Sequence, residues 1–99
     1  MIQITSTIEW TLPGTDCPLT CYAVTHIRDF ERIHPFDSSQ DVFAARATTW
    51  ISNRNGKVLA VSETNWDPAL MPRQIYHNNT TRAQYRADDK YKREQRKAS

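Results

Sequence analysis

Residues 48–62 read TTWISNRNGKVLAVS, and this stretch decides the fold. Asn55-Gly56 separates two runs that are rich in β-branched and apolar residues. Because Asn and Gly both tolerate the positive φ angles that tight hairpin turns require, the dipeptide predicts an antiparallel hairpin. The rest of an antiparallel sheet can be inferred outward from this hairpin.

The N-terminal segment predicts another strand. Apolar residues occupy even positions with polar residues between them, and only Ser6 interrupts the pattern: Ile2, Ile4, Ile8, Trp10 and Leu12. A period of two is typical of a strand with one buried face. The sequence Pro13-Gly14-Thr15-Asp16 then predicts a turn.

Residues 19–47 are less decisive. The apolar residues of 19–30 fit a helical stripe, yet the segment is rich in β-formers and follows a strand and a turn. We therefore expect a strand over about 20–28 that pairs with the first one. Residues 34–39 are interpreted as a loop, and residues 42–47 either open a short helix or run directly into the hairpin.

The C-terminal part changes character. Residues 64–79 contain Pro68 and Pro72, which forbid regular strand pairing, so we expect an irregular but apolar loop. Asn78-Asn79-Thr80 can cap a helix, which the pattern predicts from about 81 to 97. The apolar stripe of this helix is narrow, being formed by Ala83, Ala87 and Tyr91. We therefore expect the helix to fray until a partner docks on it, and the sheet to stay folded without it.

Together these signals predict a small α+β fold. An antiparallel sheet over about residues 2–63 precedes the proline-containing loop and a basic C-terminal helix. The corresponding domain division is a body of residues 1–79, with the loop at 64–79, and a helical tail of residues 80–99. We recognise no signal peptide and no apolar run of transmembrane length, so the expected location is the cytoplasm.

The distribution of charge is uneven, although the net charge of the chain is only +2. Residues 80–99 carry seven basic and three acidic residues, a net charge of +4. Residues 1–79 carry six basic and eight acidic residues, a net charge of −2. A basic tail on an acidic body predicts contact with an acidic surface or a phosphate backbone, the alternative being a tail that is merely solvated.

The chain offers no clear constellation of catalytic or metal-binding residues. Cys17 and Cys21, with His26 and His34, do not have a common zinc-finger spacing, and the thiols are better explained as small apolar side chains. The carboxylates are scattered, and two glycines do not form a phosphate-cradling loop. We therefore predict no enzyme activity, no metal and no cofactor.

The sequence Trp66-Asp67-Pro68 has two interpretations. The first is a core tryptophan that is followed by a turn. The second is an exposed proline loop that is presented to another protein, in which case a required proline isomer would bring in a prolyl isomerase. The residues themselves leave both interpretations open.

The stretch Glu63-Thr64-Asn65-Trp66-Asp67-Pro68-Ala69-Leu70-Met71-Pro72, the length of 99 residues and the basic C-terminus resemble the anti-RecBCD proteins of lambda-like temperate phages. This resemblance implies a modulator that binds the host RecBCD helicase–nuclease, with the RecC subunit, where Chi is read, as the expected contact. It implies altered Chi recognition and nuclease activity that favour phage recombination in the host bacterial cytoplasm. It also implies a host peptidyl-prolyl cis-trans isomerase as a further partner at Pro68.

The expected partner-binding residues form two sets. The apolar set is Trp66, Asp67, Pro68, Leu70 and Met71, and the electrostatic set is Arg82, Arg86, Lys90 and Arg93. On this hypothesis the protein meets DNA only indirectly and does not meet a membrane. The rival hypothesis is a small nucleic-acid-binding module that uses its basic helix directly, with Tyr85 and Tyr91 available to stack on bases.

Overall fold

Four antiparallel strands precede a long helix in the computed structural model, which describes residues 2–33, 42–67 and 69–98. The elements are β1 (Ile2–Thr11), β2 (Pro18–Ile33), β3 (Val42–Ser52), β4 (Val58–Trp66) and α1 (Pro72–Ala98). Each strand pairs with the next one in the chain, so the sheet has the order β1-β2-β3-β4. The predicted α+β fold, an antiparallel sheet followed by a C-terminal helix, is confirmed.

The hairpin between β3 and β4 turns at the predicted Asn-Gly. Gly56 has a φ of 85°, which residues with a Cβ rarely adopt, and its N–H donates to the carbonyl of Asn53 at 3.0 Å. The side-chain oxygen of Asn53 accepts the N–H groups of Asn55 and Lys57, each at 2.9 Å. This asparagine closes the turn from inside, so the hairpin depends on its side chain as well as on the glycine.

The strands β2 and β3 are longer than expected. The strand predicted over about 20–28 is confirmed but extends to Ile33, and residues 42–47 belong to β3, so that the short-helix alternative is wrong. Residues 31–33 and 42–44 pair only with each other, beyond the reach of β1 and β4, and a register shift between Arg28 and Glu31 precedes this ribbon. The loop predicted at 34–39 lies outside the described residues.

The helix begins at Pro72, so the predicted start near residue 81 and the irregular loop over 64–79 are both wrong in extent. Proline is favoured at the first helical position, because its missing N–H would have no intrahelical acceptor there. The side chain of Gln74 accepts the N–H of Met71 at 2.9 Å, which is one half of a capping box. Residue 80, where the domain division was placed, therefore lies within α1. No helix of the described ranges has the length and hydrophobicity to cross a membrane.

Asn79 is the reason that the helix extends through the expected cap. Its side chain is fully buried, and its amide nitrogen donates to Thr49 Oγ1 at 2.7 Å and to the carbonyl of Ser62 at 3.1 Å. Its amide oxygen accepts the indole N–H of Trp66 at 3.2 Å. The Thr49 hydroxyl in turn contacts that of Thr25 at 2.7 Å. This satisfied polar network joins the N-terminal third of α1 to three strands of the sheet.

The core lies between α1 and one face of the sheet. One cluster of buried side chains contains Trp10, Cys21, Ile51, Ala60, Ala83 and Ala87, and a second contains Ile27, Ala45, Ala47 and Ile75. Small residues of the helix meet small residues of the strands, which lets the two backbones approach closely. The sheet itself therefore covers the narrow stripe of α1, and the expectation that this helix frays until a partner docks on it is wrong.

Candidate functional site

The two large side chains at the start of the proline-containing loop belong largely to the fold. Trp66 ends β4, is half-buried, and packs with Leu70 on the cluster formed by Ile27, Ala45, Ala47 and Ile75. Its indole N–H is satisfied inside the protein by Asn79. This placement fits the interpretation of Trp66 as a core tryptophan followed by a turn.

The loop that follows is short and internally bonded. The Asp67 carboxylate accepts the N–H of Ala69 at 2.9 Å, and the Asp67 carbonyl accepts the N–H of Leu70 at 3.0 Å. Asp67 is exposed, and Met71 has 68% of its surface exposed. Pro68 lies outside the described residues. Of the predicted contact residues that are described in this loop, Asp67 and Met71 are thus the exposed ones.

The four predicted cations of α1 all lie on the side of the helix that faces β4. The guanidinium carbon of Arg82 is 5.2 Å from the centroid of the Trp66 ring, which is a cation–π distance. Farther along the helix, Arg86, Lys90 and Arg93 line a groove of about 240 Å³ against residues 58–61. The helix therefore runs antiparallel to β4, with Arg82 at the end of the strand and Arg93 near its beginning.

The other wall of this groove is an edge strand, which the sequence-based site did not include. β4 is the last strand of the sheet that the described residues form, so one of its sides carries no neighbouring strand. Val58 and Val61 are 43% and 40% exposed. The groove, hereafter the β4–α1 groove, combines a strand edge and a row of cations, while the side chain of Val61 lies on the opposite face of the sheet as a register neighbour of Trp50. A hairpin followed directly by a helix was the available sign that β4 is an edge.

The opposite flank of α1, which faces β1, is held by side-chain hydrogen bonds. The indole N–H of Trp10 donates to the Asp88 carboxylate at 2.7 Å, and the ring of Trp10 meets that of Tyr91 edge-on at 6.1 Å. Tyr76 is hydrogen-bonded to Ser6 near the other end of the flank. Polar groups of this flank are therefore used within the protein. On the flank toward β4, Arg82 stacks on Trp66 and Arg93 Nε donates to the Asp89 carbonyl at 3.4 Å, whereas Arg86 and Lys90 are exposed in the groove.

The face of the sheet that points away from α1 is a second surface that sequence reasoning missed. Val24, Trp50 and Val61 are register neighbours across three strands of this face. His26 packs edge-on against Trp50 with ring centroids 4.9 Å apart, and Tyr22 is 45% exposed. Charge is balanced locally by the ion pair of Arg46 with Glu63. This face is mixed in character and is less strongly charged than the β4–α1 groove.

The cysteines and histidines do not converge on one site. Cys21 is buried under α1, and this burial raises the pKa of its thiol, whereas Cys17 is exposed. His26 points to the opposite face of the sheet, because it is an odd number of residues from Cys21 along β2. His34 is outside the described residues. Among those that are described, no group of three potential metal ligands is found.

The geometry thus favours one surface for binding. Of the nine residues predicted to contact a partner, the structure brings the four cations together along β4, while Trp66 and Leu70 contribute to packing. Asp67 and Met71 remain accessible at the end of β4 where Arg82 lies. Comparisons of the chain with protein-family models, with curated proteins and with solved structures found no match.

Proposed function

We propose that this protein is a phage-encoded modulator of the host RecBCD helicase–nuclease that acts by binding, with RecC as the contact subunit. The identity of the partner is supported by the resemblance of residues 63–72, of the length and of the basic C-terminus. Binding as the mode of action is supported by one observation above all. Four cations lie in a row on the accessible flank of α1, beside a strand edge that has no neighbouring strand among the described residues.

Binding alone is sufficient for the proposed effect. A ligand that prefers one conformation of RecBCD shifts its population toward that conformation, and a ligand seated where Chi is read changes recognition by occupancy. Neither mechanism requires a catalytic group on this chain. The result would be altered Chi recognition and nuclease activity, with linear phage DNA spared for recombination in the host cytoplasm.

The loop after β4 has a separate role in this proposal. Asp67 and Met71 are exposed on either side of Pro68, so a second protein can approach the loop without displacing Trp66 from the core. A host prolyl isomerase is the proposed additional partner at Pro68. Trp66 then positions the loop, because it fixes the end of β4 through its bond to Asn79.

The cations give the association its electrostatic component. Arg86 and Lys90 have no ion-pair partner among the residues that the structure describes, so their charge is available to an acidic surface. The same helix carries Asp88, Asp89 and Glu94, which lower its net charge and weaken attraction to naked DNA. We therefore assign contact with DNA to the complex rather than to the free protein.

Affinity capture tests the proposal. The tagged protein is expected to retain purified RecBCD, and Arg86→Glu/Lys90→Glu is expected to reduce that retention at least tenfold. The matched control is Lys92→Glu/Lys97→Glu, which changes the net charge equally at exposed positions of the same helix outside the groove. Undiminished retention by the first variant, or equal loss in both, would contradict the assignment of the cations.

A direct nucleic-acid-binding module is the second candidate, and the same basic row is the observation that favours it. It predicts that the free protein binds duplex or single-stranded DNA with an affinity that falls steeply as salt rises. Capture of RecBCD without binding of free DNA at modest salt supports the modulator. Binding of DNA without capture of RecBCD supports the module, and the absence of both results excludes the two together.

A further inference from the structure

The β4–α1 groove has the construction of a peptide-binding groove that works by strand addition. In this mode an extended segment pairs with an exposed sheet edge. In this protein α1 would line the other side of the segment. β4 provides an edge of nine residues, Val58–Trp66, in the sheet of the described residues. Along that edge, alternate residues direct their N–H and C=O groups away from β3, where they are available to another strand.

The spacing of the cations fits the repeat of a strand. Successive cations of the row are four, four and three residues apart, which places them about 6, 6 and 4.5 Å apart along the helix axis. Side chains on one face of a strand recur about every 6.7 Å. An extended segment with an acidic side chain at every second residue would therefore bring each carboxylate close to one cation.

The length of the row sets the length of the segment. From Arg82 to Arg93 the helix advances about 16 Å, which an extended chain covers in about five residues. If every second residue of such a five-residue segment is acidic, the segment carries three acidic side chains on one face. The side chains between them would point to the other face of the sheet, where Val61 is exposed next to Trp50. The intervening residues are thus expected to be β-branched or apolar.

A second copy of this chain is a poor occupant of the groove. Pairing two β4 edges about a twofold axis would place Arg86, Lys90 and Arg93 of each copy on the same face of one continuous sheet. Like charges facing each other in this way oppose association. Pairing β4 of one copy with β1 of another would not close and would continue into a filament. An acidic segment of a different protein can pair both with the backbone groups at the edge of β4 and with the cations of α1.

We infer that the β4–α1 groove binds an extended, acidic peptide segment of a partner protein, which adds to the sheet as a fifth strand beside β4. The inference rests on the proposed function in that the same cations contact the partner, and it states which kind of element they contact. The carboxylates of the segment pair with the cations of α1. Its backbone pairs with the edge of β4, so affinity depends on main-chain groups as well as on charge.

The probe is a fluorescein-labelled seven-residue peptide in which Glu alternates with Thr, titrated to millimolar concentration against the full-length protein. Fluorescence anisotropy is expected to report saturable binding. The same sequence N-methylated at alternate residues keeps every charge but loses backbone donors on one edge. It is expected to bind at least tenfold more weakly. Equal binding of the two peptides would overturn strand addition, and so would the absence of binding by the unmodified peptide.

Amide resonances of the unmodified protein locate the peptide without depending on any variant. Addition of the peptide is expected to slow hydrogen exchange at alternate residues of β4 and to leave the exchange of β1 unchanged. Protection that falls on β1, or on neither edge, would overturn the inference. Among variants, Arg86→Glu/Lys90→Glu is expected to weaken peptide binding about tenfold, whereas Lys92→Glu/Lys97→Glu leaves it within about twofold.

Peptide binding and RecBCD capture, measured separately, distinguish the groove proposal from the proposed function. Peptide binding with protection of β4, but no capture of RecBCD, supports the groove and overturns the proposed function. Capture of RecBCD that is insensitive to excess peptide, by a protein that does not bind the peptide, overturns the groove and leaves the proposed function supported. Capture that the peptide inhibits, and that its N-methylated form does not inhibit, supports both.

Discussion

The two flanks of α1 are made from the same helix but are used differently. The flank toward β1 presents Tyr76 and Asp88, and each forms a hydrogen bond with a residue of that strand. The flank toward β4 presents Arg86 and Lys90 to an open groove. One side of the helix therefore fixes its position on the sheet, which leaves the long cationic side chains of the other side accessible to a partner. If this division holds, changes on the β1 flank alter stability and changes on the β4 flank alter binding.

Removal of the helix beyond Asn79 is expected to have the largest effect. Such a truncation deletes Ala83, Ala87 and Tyr91, which cover Trp10, Cys21 and Ile51. A small domain has a free energy of unfolding of only about 5–15 kcal/mol, so uncovering one of its two core clusters should unfold it. The packing of α1 on the sheet therefore favours an outcome opposite to the sequence-based prediction that the sheet stays folded without its tail, and the truncation decides between them.

Circular dichroism and thermal denaturation of residues 1–79 test this prediction. The truncated chain is expected to show no cooperative transition, while removal of residues 95–99 alone should preserve one, because that segment is exposed where it is described. A folded, cooperatively melting 1–79 would mean that α1 is an appendage and that both flanks are free for binding.

Substitution of Asn79 is the next largest change, because this residue lies between the two flanks. Asn79→Ala removes the acceptor of the Trp66 indole N–H and the amide N–H groups that Asn79 donates to Thr49 Oγ1 and to the Ser62 carbonyl. The expected loss is about 2–4 kcal/mol of unfolding free energy, since buried polar groups are left unpaired. Urea denaturation measures it, and Asn78→Ala is the matched control at an exposed neighbouring position. A similar midpoint for the two variants would contradict the buried network.

A matched pair of alanine substitutions tests the division between the flanks directly. Asp88→Ala removes the acceptor of the Trp10 indole and is expected to lower stability by about 1–2 kcal/mol while partner capture is unchanged. Lys90→Ala is expected to change stability by less than about 0.5 kcal/mol and to weaken capture. For each variant, denaturation measures the free energy of unfolding and affinity capture measures the amount of partner retained. The division fails if the two variants show the same pattern.

The strands could be predicted because their signals are local. The alternation along residues 2–12 predicts a strand and the Asn-Gly dipeptide predicts a turn, each from only a few neighbouring residues. The structure contains both the strand and the turn. The start of α1 could not be predicted in the same way. Asn79 resembles a cap when only its neighbours in sequence are considered, whereas its partners Thr49 and Ser62 lie far away along the chain. Tertiary packing overrode its local preference.

The candidate site divides along the same line. The helical period alone places Arg82, Arg86, Lys90 and Arg93 on one face, and the structure retains that grouping. The period does not say what the face is next to. The neighbour of this face depends on the order of the strands in the sheet. It also depends on the rotation of α1 about its axis, which the hydrogen bond between Trp10 and Asp88 fixes by holding the opposite flank against β1. The edge of β4 was therefore missed although its residues had been assigned to a strand.

Thr80 gives the smallest and most discriminating test, since it is the one buried side-chain polar group on the described part of the chain without a hydrogen-bond partner. It is four residues from both Tyr76 and Gln84, so it lies on the β1 flank. Thr80→Val keeps the shape and the β-branch but removes a hydroxyl that was desolvated without compensation. The expected result is a gain of up to about 1 kcal/mol in unfolding free energy, with capture of the partner unchanged.

Thr81→Val is the control, because the Thr81 hydroxyl already donates to the carbonyl of His77 at 3.0 Å and its loss should not stabilise the protein. If Thr80→Val instead destabilised the fold, its hydroxyl would have to be bonded in solution, and the β1 flank would be satisfied along its whole length.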